Sequence, residues 1–295
     1  KIQTDLNLDE QRRQLYTNFV LDRFNLLRKK NIKIVNVDVR TMSDFNKIHD
    51  DFEPTKIVHL AAISSAVIAN KSPSLAYDIQ ISSLRNLIEL SRLKSSKVNQ
   101  IVFMSSSTVY GDFEEDEVDE TIRPRPKGVY ANGKYMGERM VREALHLYDI
   151  PYTIIRPSAL YGIRCVSGRV SQKFIENALM KKPLHLEGGG QGLLDFTDVR
   201  DVVKGIILSM GIDNGKSRTF NITYGNAQPI SKLVDIIKKH IPDVIVKDAP
   251  AAPEKPKRGT LRIDRAKEFL GFKPEYSIEK GYNDYVQWYK NEWEK

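Results

Sequence analysis

The sequence predicts an α/β protein built on a doubly wound parallel sheet. Short apolar runs at residues 56–60, 100–104 and 152–156 have the length and composition of buried strands. Segments of ten or more residues with helical spacing separate these runs. Strands that are buried on both faces appear as continuous apolar runs, so this alternation predicts a parallel sheet covered by helices on both sides.

The first half of the chain contains most of the alternation. Apolar residues at helical spacing, such as Leu15 and Phe19, predict a helix over 9–30, and Ser43 is the expected N-cap of a short helix over 43–52. Longer helices are predicted over 74–93 and 130–147. The predicted strands are 32–37, 56–60, 100–104 and 152–156.

Beyond residue 156 the rhythm changes. A loop is expected at 157–162 and a proline-rich connector at 249–256. The remaining elements are predicted helices at 170–180, 198–210, 230–240 and 278–293 and predicted strands at 218–223 and 244–246. We therefore predict a first domain over 1–160 and a smaller α+β lobe over 161–295, some segments of which return to the first domain.

Composition limits the classes of function. The formal charge of +8 is diffuse, because basic residues are scattered along every predicted helix and residues 112–120 are strongly acidic. The basic concentration at 255–262 fits an anionic substrate as well as it fits a nucleic acid. The single cysteine, Cys165, rules out an internal disulfide and favours a reducing cytoplasm. No apolar run approaches the roughly 20 residues that span a bilayer, and no cluster has metal-ligand spacing, so we predict neither a membrane span nor a metal.

A hydroxyl-rich segment, 105–111 (SSSTVYG), directly follows an apolar strand and is itself followed by Tyr130 and Lys134. The tyrosine and the lysine are four residues apart, so they share one face of a helix. A nearby cation lowers the pKa of a phenol, and such a pair can move a proton at an alcohol carbon. Tyr276 and Lys280 have the same spacing, but no hydroxyl cluster precedes them.

The first glycine in the chain is Gly111. A dinucleotide-binding sheet normally opens with a strand, a glycine-rich turn and a helix that holds the pyrophosphate. Either the chain binds no dinucleotide, or that first βα unit is missing from this sequence. A helix that begins at Asp9 with no strand before it favours the second explanation.

From Ile32 onward the chain resembles the extended short-chain dehydrogenase/reductase family, in particular its NAD-dependent nucleotide-sugar epimerases and dehydratases, which have a Rossmann-type sheet. Tyr130 and Lys134 match the Tyr-x-x-x-Lys of the family. The other matching motifs, in the order of the family, are 38–40 (DVR), 59–62 (HLAA), 105–111 (SSSTVYG), 156–162 (RPSALYG), 194–199 (LDFTDV) and 258–264 (RGTLRID).

The resemblance implies a dinucleotide-binding first domain, a substrate-binding second lobe and NAD as cofactor. It implies that Tyr130 moves the proton of a sugar hydroxyl, that Ser106 bridges this hydroxyl, and that Lys134 holds the nicotinamide ribose and depresses the pKa of Tyr130. The implied cofactor-binding residues are Asp38, Val39, Leu60, Ala61, Ala62, Gln80, Met104, Tyr130, Lys134 and Pro157. The implied substrate-binding residues are Ser106, Ser107, Ala159 and Arg258. A homodimer through helices 74–93 and 130–147 is also implied.

Departures from the family pattern narrow the expected reaction. Dehydratases of the family carry acidic residues after the catalytic hydroxyl, where this chain has Ser107 and Thr108, so a 4,6-dehydratase is disfavoured. Leu194 replaces a phosphate-binding arginine, which leaves Arg258, and more weakly Arg200, for the diphosphate. Epimerisation at C4 of a nucleotide sugar is the leading expectation. A C4 dehydrogenase or ketoreductase is the alternative, and a non-catalytic dinucleotide- or RNA-binding protein is the third.

Overall fold

A computed structural model describes residues 8–211, 218–251 and 256–295. The strands, in chain order, are β1 (Lys56–His59), β2 (Gln100–Met104), β3 (Glu117–Val118), β4 (Tyr152–Arg156), β5 (Leu160–Tyr161), β6 (Leu184–Glu187), β7 (Leu193–Leu194), β8 (Thr197–Asp198), β9 (Arg218–Asn221), β10 (Gln228–Pro229), β11 (Val246–Ala249) and β12 (Thr260–Leu261). The α-helices are α1 (Glu10–Lys29), α2 (Met42–Phe52), α3 (Ala66–Lys71), α4 (Pro73–Tyr77), α5 (Ser83–Ser91), α6 (Gly128–Tyr148), α7 (Val170–Leu179), α8 (Val199–Met210), α9 (Ser231–His240), α10 (Asp264–Leu270) and α11 (Asn283–Trp293).

The largest sheet of the described residues has four strands in the order β1-β2-β4-β9, and every neighbouring pair is parallel. Alternate residues of β2 face opposite sides of this sheet. Ile101 and Phe103 pack with buried side chains of α5 and α6, whereas Val102 packs with side chains of α8 and α10. The predicted parallel sheet with helices on both faces is therefore confirmed.

The carboxyl ends of β2 and β4 lie side by side, because Met104 is paired with Ile155 in the register of the two strands. The segments that leave these strands carry the hydroxyl cluster and Pro157. In open parallel sheets, ligands bind beyond the carboxyl ends of the strands. The topology thus brings the two predicted loop segments to the edge of the sheet where a ligand is expected.

A second core belongs to the carboxyl-terminal lobe and includes side chains of α7, α9 and α11. Helix α1 packs into this core. Phe19 is fully buried with its ring 4.8 Å from that of Trp288, and the Tyr16 hydroxyl donates to Glu176 Oε1 at 2.6 Å. The predicted boundary at residue 160 is therefore crossed in both directions, by α1 towards the second lobe and by β9, α8 and α10 back to the first sheet.

Two local predictions for the first half are wrong. Residues 32–37 form no strand, and Ile32, Ile34 and Val35 are exposed. A strand needs a neighbour to pair with, and none of the paired strands of the described chain lies against this run. Helix α2 begins at Met42 with Thr41, rather than Ser43, at the N-cap position.

Other elements differ in their bounds. The predicted helix 74–93 is interrupted by a π-helical segment, Asp78–Ser82, and a second such segment, Ile278–Tyr282, leads into α11. The predicted strand 244–246 is displaced to Val246–Ala249, where it pairs in parallel with β6. Residues 252–255 of the predicted connector lie outside the described residues.

Candidate active site

A cavity of about 470 Å³ opens beyond the carboxyl ends of β2 and β4. Its walls also include α8 side chains such as Val203 and Ile206, and the guanidinium-bearing residue Arg169. Most of the predicted site residues line this single cavity, namely Leu60, Ala62, Met104, Ser106, Ser107, Tyr130, Lys134, Pro157, Ala159 and Arg258. Residues from distant parts of the sequence therefore line one cavity, and their functional roles remain predictions.

Ser106 lies at the point where β2 turns into a short 3-10 helix, Ser107–Tyr110. It is the N-cap of this turn, and its Oγ accepts hydrogen bonds from the Thr108 backbone N–H at 3.2 Å and the Thr108 hydroxyl at 3.0 Å. Gly111 ends the turn with φ of +76°, and a Cβ there would lie 2.2 Å from the carbonyl oxygen of Arg125. Glycine is therefore required at 111 if the hydroxyl is to hold this position.

Lys134 lies one turn after Tyr130 on α6, and both side chains reach the cavity. The Lys134 ammonium donates to the carbonyl oxygen of Met104 at 2.7 Å. Burial lowers the pKa of Lys134 to about 8, because an ammonium loses hydration inside the protein. The side chain thus rests against the last residue of β2, next to the hydroxyl cluster.

The expected depression of the Tyr130 pKa by Lys134 is wrong for this structure. Burial raises the pKa of Tyr130, and a hydrogen bond with Ser106 and the charge of Arg169 oppose this rise only in part. Lys134 is not one of the groups that act on the phenol. The tyrosine is therefore protonated at neutral pH in this structure.

A buried ion pair between Glu138 and Arg156 lies next to the residues of this cavity. Glu138, four residues after Lys134 on α6, accepts from the Ser105 hydroxyl at 2.6 Å and from Arg156 at 2.8 and 2.6 Å. The Arg156 guanidinium also lies 4.7 Å from the centre of the Tyr110 ring. Sequence reasoning missed this pair. The four-residue spacing places Glu138 on the same face of α6 as Tyr130 and Lys134, but no local pattern indicates Arg156 as its partner.

The predicted phosphate-binding arginines have different surroundings. Arg258 lines the cavity, and its Nη1 donates to the carbonyl oxygen of Gly111 at 2.7 Å. Burial lowers the pKa of Arg258 to about 10, with Asp112 acting in the opposite direction. Arg200 is instead paired with Asp198 at 2.9 Å and with Asp284 at 3.2 Å. The weaker candidate is therefore engaged by two carboxylates and does not line the cavity.

Tyr276 and Lys280, which share the spacing of Tyr130 and Lys134, lie outside the cavity lining. The Lys280 ammonium is 4.5 Å from the centre of the Tyr276 ring, and the Arg200 guanidinium is 3.5 Å from it. The aromatic ring thus packs against two cations at another place in the fold. The spacing alone therefore does not distinguish the two pairs; the preceding hydroxyl segment does.

Four predicted cofactor-binding residues, Asp38, Val39, Ala61 and Gln80, are not part of the cavity lining. The Asp38 carboxylate is bound by Arg40 at 2.6 Å, and these hydrogen bonds lower its pKa to about 2. The carbonyl oxygen of Val39 accepts from Asn86 Nδ2 at 3.3 Å. Their predicted contacts with a cofactor remain predictions.

Gln80 packs its side chain against α6. A Cβ on Gly133 would lie 1.9 Å from Gln80 Oε1, so this contact requires glycine at 133. Within the described chain, both amide atoms of Gln80 are buried and have no hydrogen-bond partner. A buried amide without a partner is costly and is often a group kept for a ligand or an ordered water.

The described residues fit one end of a dinucleotide better than the other. The buried Lys134 ammonium and the apolar wall at Leu60 and Ala62 suit a nicotinamide riboside. A glycine-rich turn for the pyrophosphate is absent from the described residues before Gly111. The described residues also contain no group of three or more His, Cys, Asp or Glu that could hold a metal ion.

Comparisons with known proteins agree with this geometry. The model of the NAD dependent epimerase/dehydratase family matches residues 8–223. A Methanocaldococcus jannaschii protein with the provisional name UDP-glucose 4-epimerase is 31% identical over 94% of this chain and 91% of its own length. UDP-glucuronate 4-epimerase 1 of Arabidopsis thaliana is 30% identical over 90% of this chain and 66% of its own.

A solved structure has the same fold. The UDP-glucose 4-epimerase of Thermotoga maritima, crystallised with UDP-glucose, superposes with a TM-score of 0.82 at 25% identity. The match covers 89% of this chain and 85% of that one. In the described residues no helix is long and apolar enough to cross a membrane.

Proposed function

Because this chain belongs to the NAD dependent epimerase/dehydratase family, we propose that it interconverts the C4 epimers of a nucleoside-diphosphate sugar through a 4-keto intermediate. The observation that carries the proposal is the meeting of Ser106, Tyr130 and Lys134 in one cavity. A pure binding protein has no need of a positioned phenol and hydroxyl. The relatives named above favour a UDP-sugar.

In this reaction the C4 hydroxyl loses its proton and C4 loses a hydride, which leaves a ketone at C4. NAD, when bound, supplies the hydride acceptor and then the donor. In its phenolate form Tyr130 takes the hydroxyl proton and later returns it, while Ser106 hydrogen-bonds the same oxygen. Lys134, charged at neutral pH because its pKa is about 8, holds a ribose hydroxyl, and the charge of Arg169 is the one that favours the phenolate.

The two residues after the proposed catalytic hydroxyl support epimerisation over dehydration. Residues 107 and 108, which follow the proposed catalytic hydroxyl, are Ser and Thr and line the cavity. Neither side chain can act as the general acid and base that elimination needs. A C4 dehydrogenase or ketoreductase starts with the same hydride step, and it differs only in releasing the keto-sugar.

The test is to mix the protein and NAD with UDP-, GDP-, CDP- and dTDP-sugars and to follow products by NMR and NADH by absorbance. A C4 epimer without net NADH supports the proposal, whereas accumulated NADH with a keto-sugar identifies a dehydrogenase. Tyr130→Phe should lower kcat by about 10²–10⁴-fold, since proton transfer by a positioned side chain contributes that much. Near-normal turnover in that variant, with an unchanged circular dichroism spectrum, would refute the role of Tyr130.

We further propose a cytoplasmic homodimer with a dinucleotide-binding unit before residue 160 and a substrate lobe after it. Cys165 is free, as suits a reducing compartment. Of the apolar residues considered for the dimer, Leu84, Leu87 and Ile88 are buried in the monomer core, whereas Met136 and Leu147 are 46% and 62% exposed. The exposed residues on α6 therefore support the proposed dimer surface.

A further inference from the structure

A second cavity opens directly from the catalytic one. It has a volume of about 590 Å³ and shares Ser64, Ala66 and Arg169 with the wall of the catalytic cavity. The rest of its lining comes from α3 and from the start of α7, namely Ser65, Val67, Ile68, Lys71, Ser72, Ser167, Gly168 and Lys173. We call this space the basic extension.

The basic extension has an unbalanced charge. Lys71, Arg169 and Lys173 line it, and none of its described lining residues is acidic. Within the described residues, no ion pair or hydrogen bond engages the side chains of these three cations. Four serines among the lining residues add hydroxyl groups. Cations without acidic partners in a concave space attract an anion.

Another charged cleft of the molecule shows that arginines alone do not make such a site. This cleft, of about 710 Å³, lies where β4 and β9 begin, away from the catalytic cavity. Its four arginines are matched by four acidic residues, namely Arg142, Arg218, Arg262 and Arg265 against Asp119, Glu120, Asp264 and Glu268. The basic extension differs because its charge has no such compensation.

Arg169 lies between the basic extension and Tyr130. It precedes α7, lines both cavities, and its charge lowers the pKa of Tyr130. A sugar whose C4 hydroxyl meets Tyr130 therefore has Arg169 within electrostatic reach. A substituent that points from the sugar past Arg169 enters the space lined by Lys71 and Lys173.

We propose that the sugar of the substrate carries an anionic substituent, which Arg169, Lys71 and Lys173 receive in the basic extension. This inference rests on the proposed function and names the substrate class of the same site. The basic extension is larger than a single carboxylate needs, since one water occupies about 30 Å³ of liquid. It therefore accepts a carboxylate attached to the ring directly or through a short linker.

The experiment uses two matched pairs of substrates. UDP-glucuronate and UDP-glucose differ by a carboxylate at C6, and UDP-N-acetylmuramate and UDP-N-acetylglucosamine differ by a carboxylate on a lactyl linker. In at least one pair, kcat/KM should be about tenfold or more higher for the acidic member, as expected for charge-assisted hydrogen bonds. The ratio should fall as salt rises, because exposed lysines are screened.

The test variant is Lys71→Gln with Lys173→Gln, and its control is Lys94→Gln with Lys238→Gln. The control removes the same charge from exposed residues that do not line either cavity. The test variant should reduce the acidic-to-neutral ratio by about three- to tenfold, since each exposed pair contributes a modest factor. The control should leave the ratio unchanged.

The outcomes separate this inference from the proposed function. Equal or better turnover of the neutral members overturns the inference and leaves epimerisation intact. An equal loss for both members of each pair in the test variant also overturns it, because the lysines would then serve the shared diphosphate. If no sugar is turned over, the proposed function fails. Calorimetric binding of the same four nucleotide sugars then tests the inference about the anionic substituent. Tighter binding of an acidic member that the test variant abolishes upholds the inference, and equal binding overturns it.

Discussion

Lys134 places an ammonium group inside the protein, with its Nζ 2.7 Å from the carbonyl oxygen of Met104. The residue is only 4% exposed, and burial lowers its pKa from 10.5 to about 8. In the unfolded chain the group releases its proton near 10.5, so the folded protein binds fewer protons between pH 8 and 10.5. The stability cost of this charge is fully present below pH 8 and disappears as the pH rises to 10.5.

Lys134→Met should therefore be more stable than the wild type at pH 7, by about 2 kcal/mol, because it removes a buried charge of similar length. The gain should vanish by about pH 10.5, where the wild-type lysine is neutral in both states. Urea unfolding of both proteins between pH 6 and 10.5 measures the difference. A gain in stability that does not depend on pH, or a loss at pH 7, contradicts the lowered pKa of the buried Lys134. Turnover should be lost in the same variant.

At the scale of elements, Glu138 joins three parts of the fold. It lies on α6, its partner Ser105 follows β2, and its partner Arg156 ends β4. Glu138 is fully buried and Arg156 is 2% exposed, so neither charge has water as a substitute partner. The ion pair thereby holds the helix of Tyr130 and Lys134 against the strand that leads to Ser106.

Glu138→Gln should lower the free energy of unfolding by about 3 kcal/mol, because it leaves the Arg156 charge buried without its counter-ion. The matched control is Glu143→Gln on the same helix, whose pair with Arg139 is solvent-exposed at 3.5 Å. An exposed pair contributes at most about 1 kcal/mol, so the control should change little. Denaturant unfolding checks both variants. Equal small losses in the two would show that the buried pair adds no net stability.

Local periodicity predicted most elements because the apolar residues within a helix or a buried strand have the spacing of that element. The strands at 56–59, 100–104 and 152–156, and the face shared by Tyr130 and Lys134, follow from such patterns. The apolar run 32–37 shows the limit, because a strand also requires a neighbour that is distant in sequence. The Glu138–Arg156 pair and the raised pKa of Tyr130 likewise depend on burial and on contacts between distant segments, which no short window of sequence contains.

At the scale of the whole molecule, the proposed dimer rests on apolar surface that the monomer leaves exposed. Met136 and Leu147 leave apolar surface exposed on α6, and Leu75 on α4 is 44% exposed. Helices α4 and α6 contact each other, so these side chains lie on adjoining elements. Adjacent exposed apolar groups on two helices are typical of an interface between subunits.

We expect the wild type to sediment as a dimer and Met136→Glu to sediment as a monomer, because a charge buried at the interface would lack a partner. The control is Phe52→Glu, which changes a 65% exposed apolar residue at the end of α2 and should not alter the mass. Sedimentation velocity of the three proteins at matched concentrations measures this. A monomeric wild type, or a dimer that persists in Met136→Glu, contradicts the proposed interface.

The two halves of the molecule are held together by the packing of α1 as well as by the backbone connection near residue 160. Helix α1 begins the described chain, yet Tyr16 and Phe19 lie among the side chains of the last helix and of α7. If a protease cut the backbone near residue 160, the amino-terminal fragment would still have its first helix embedded in the carboxyl-terminal fragment. The two pieces would co-purify and resist separation until a denaturant released that helix.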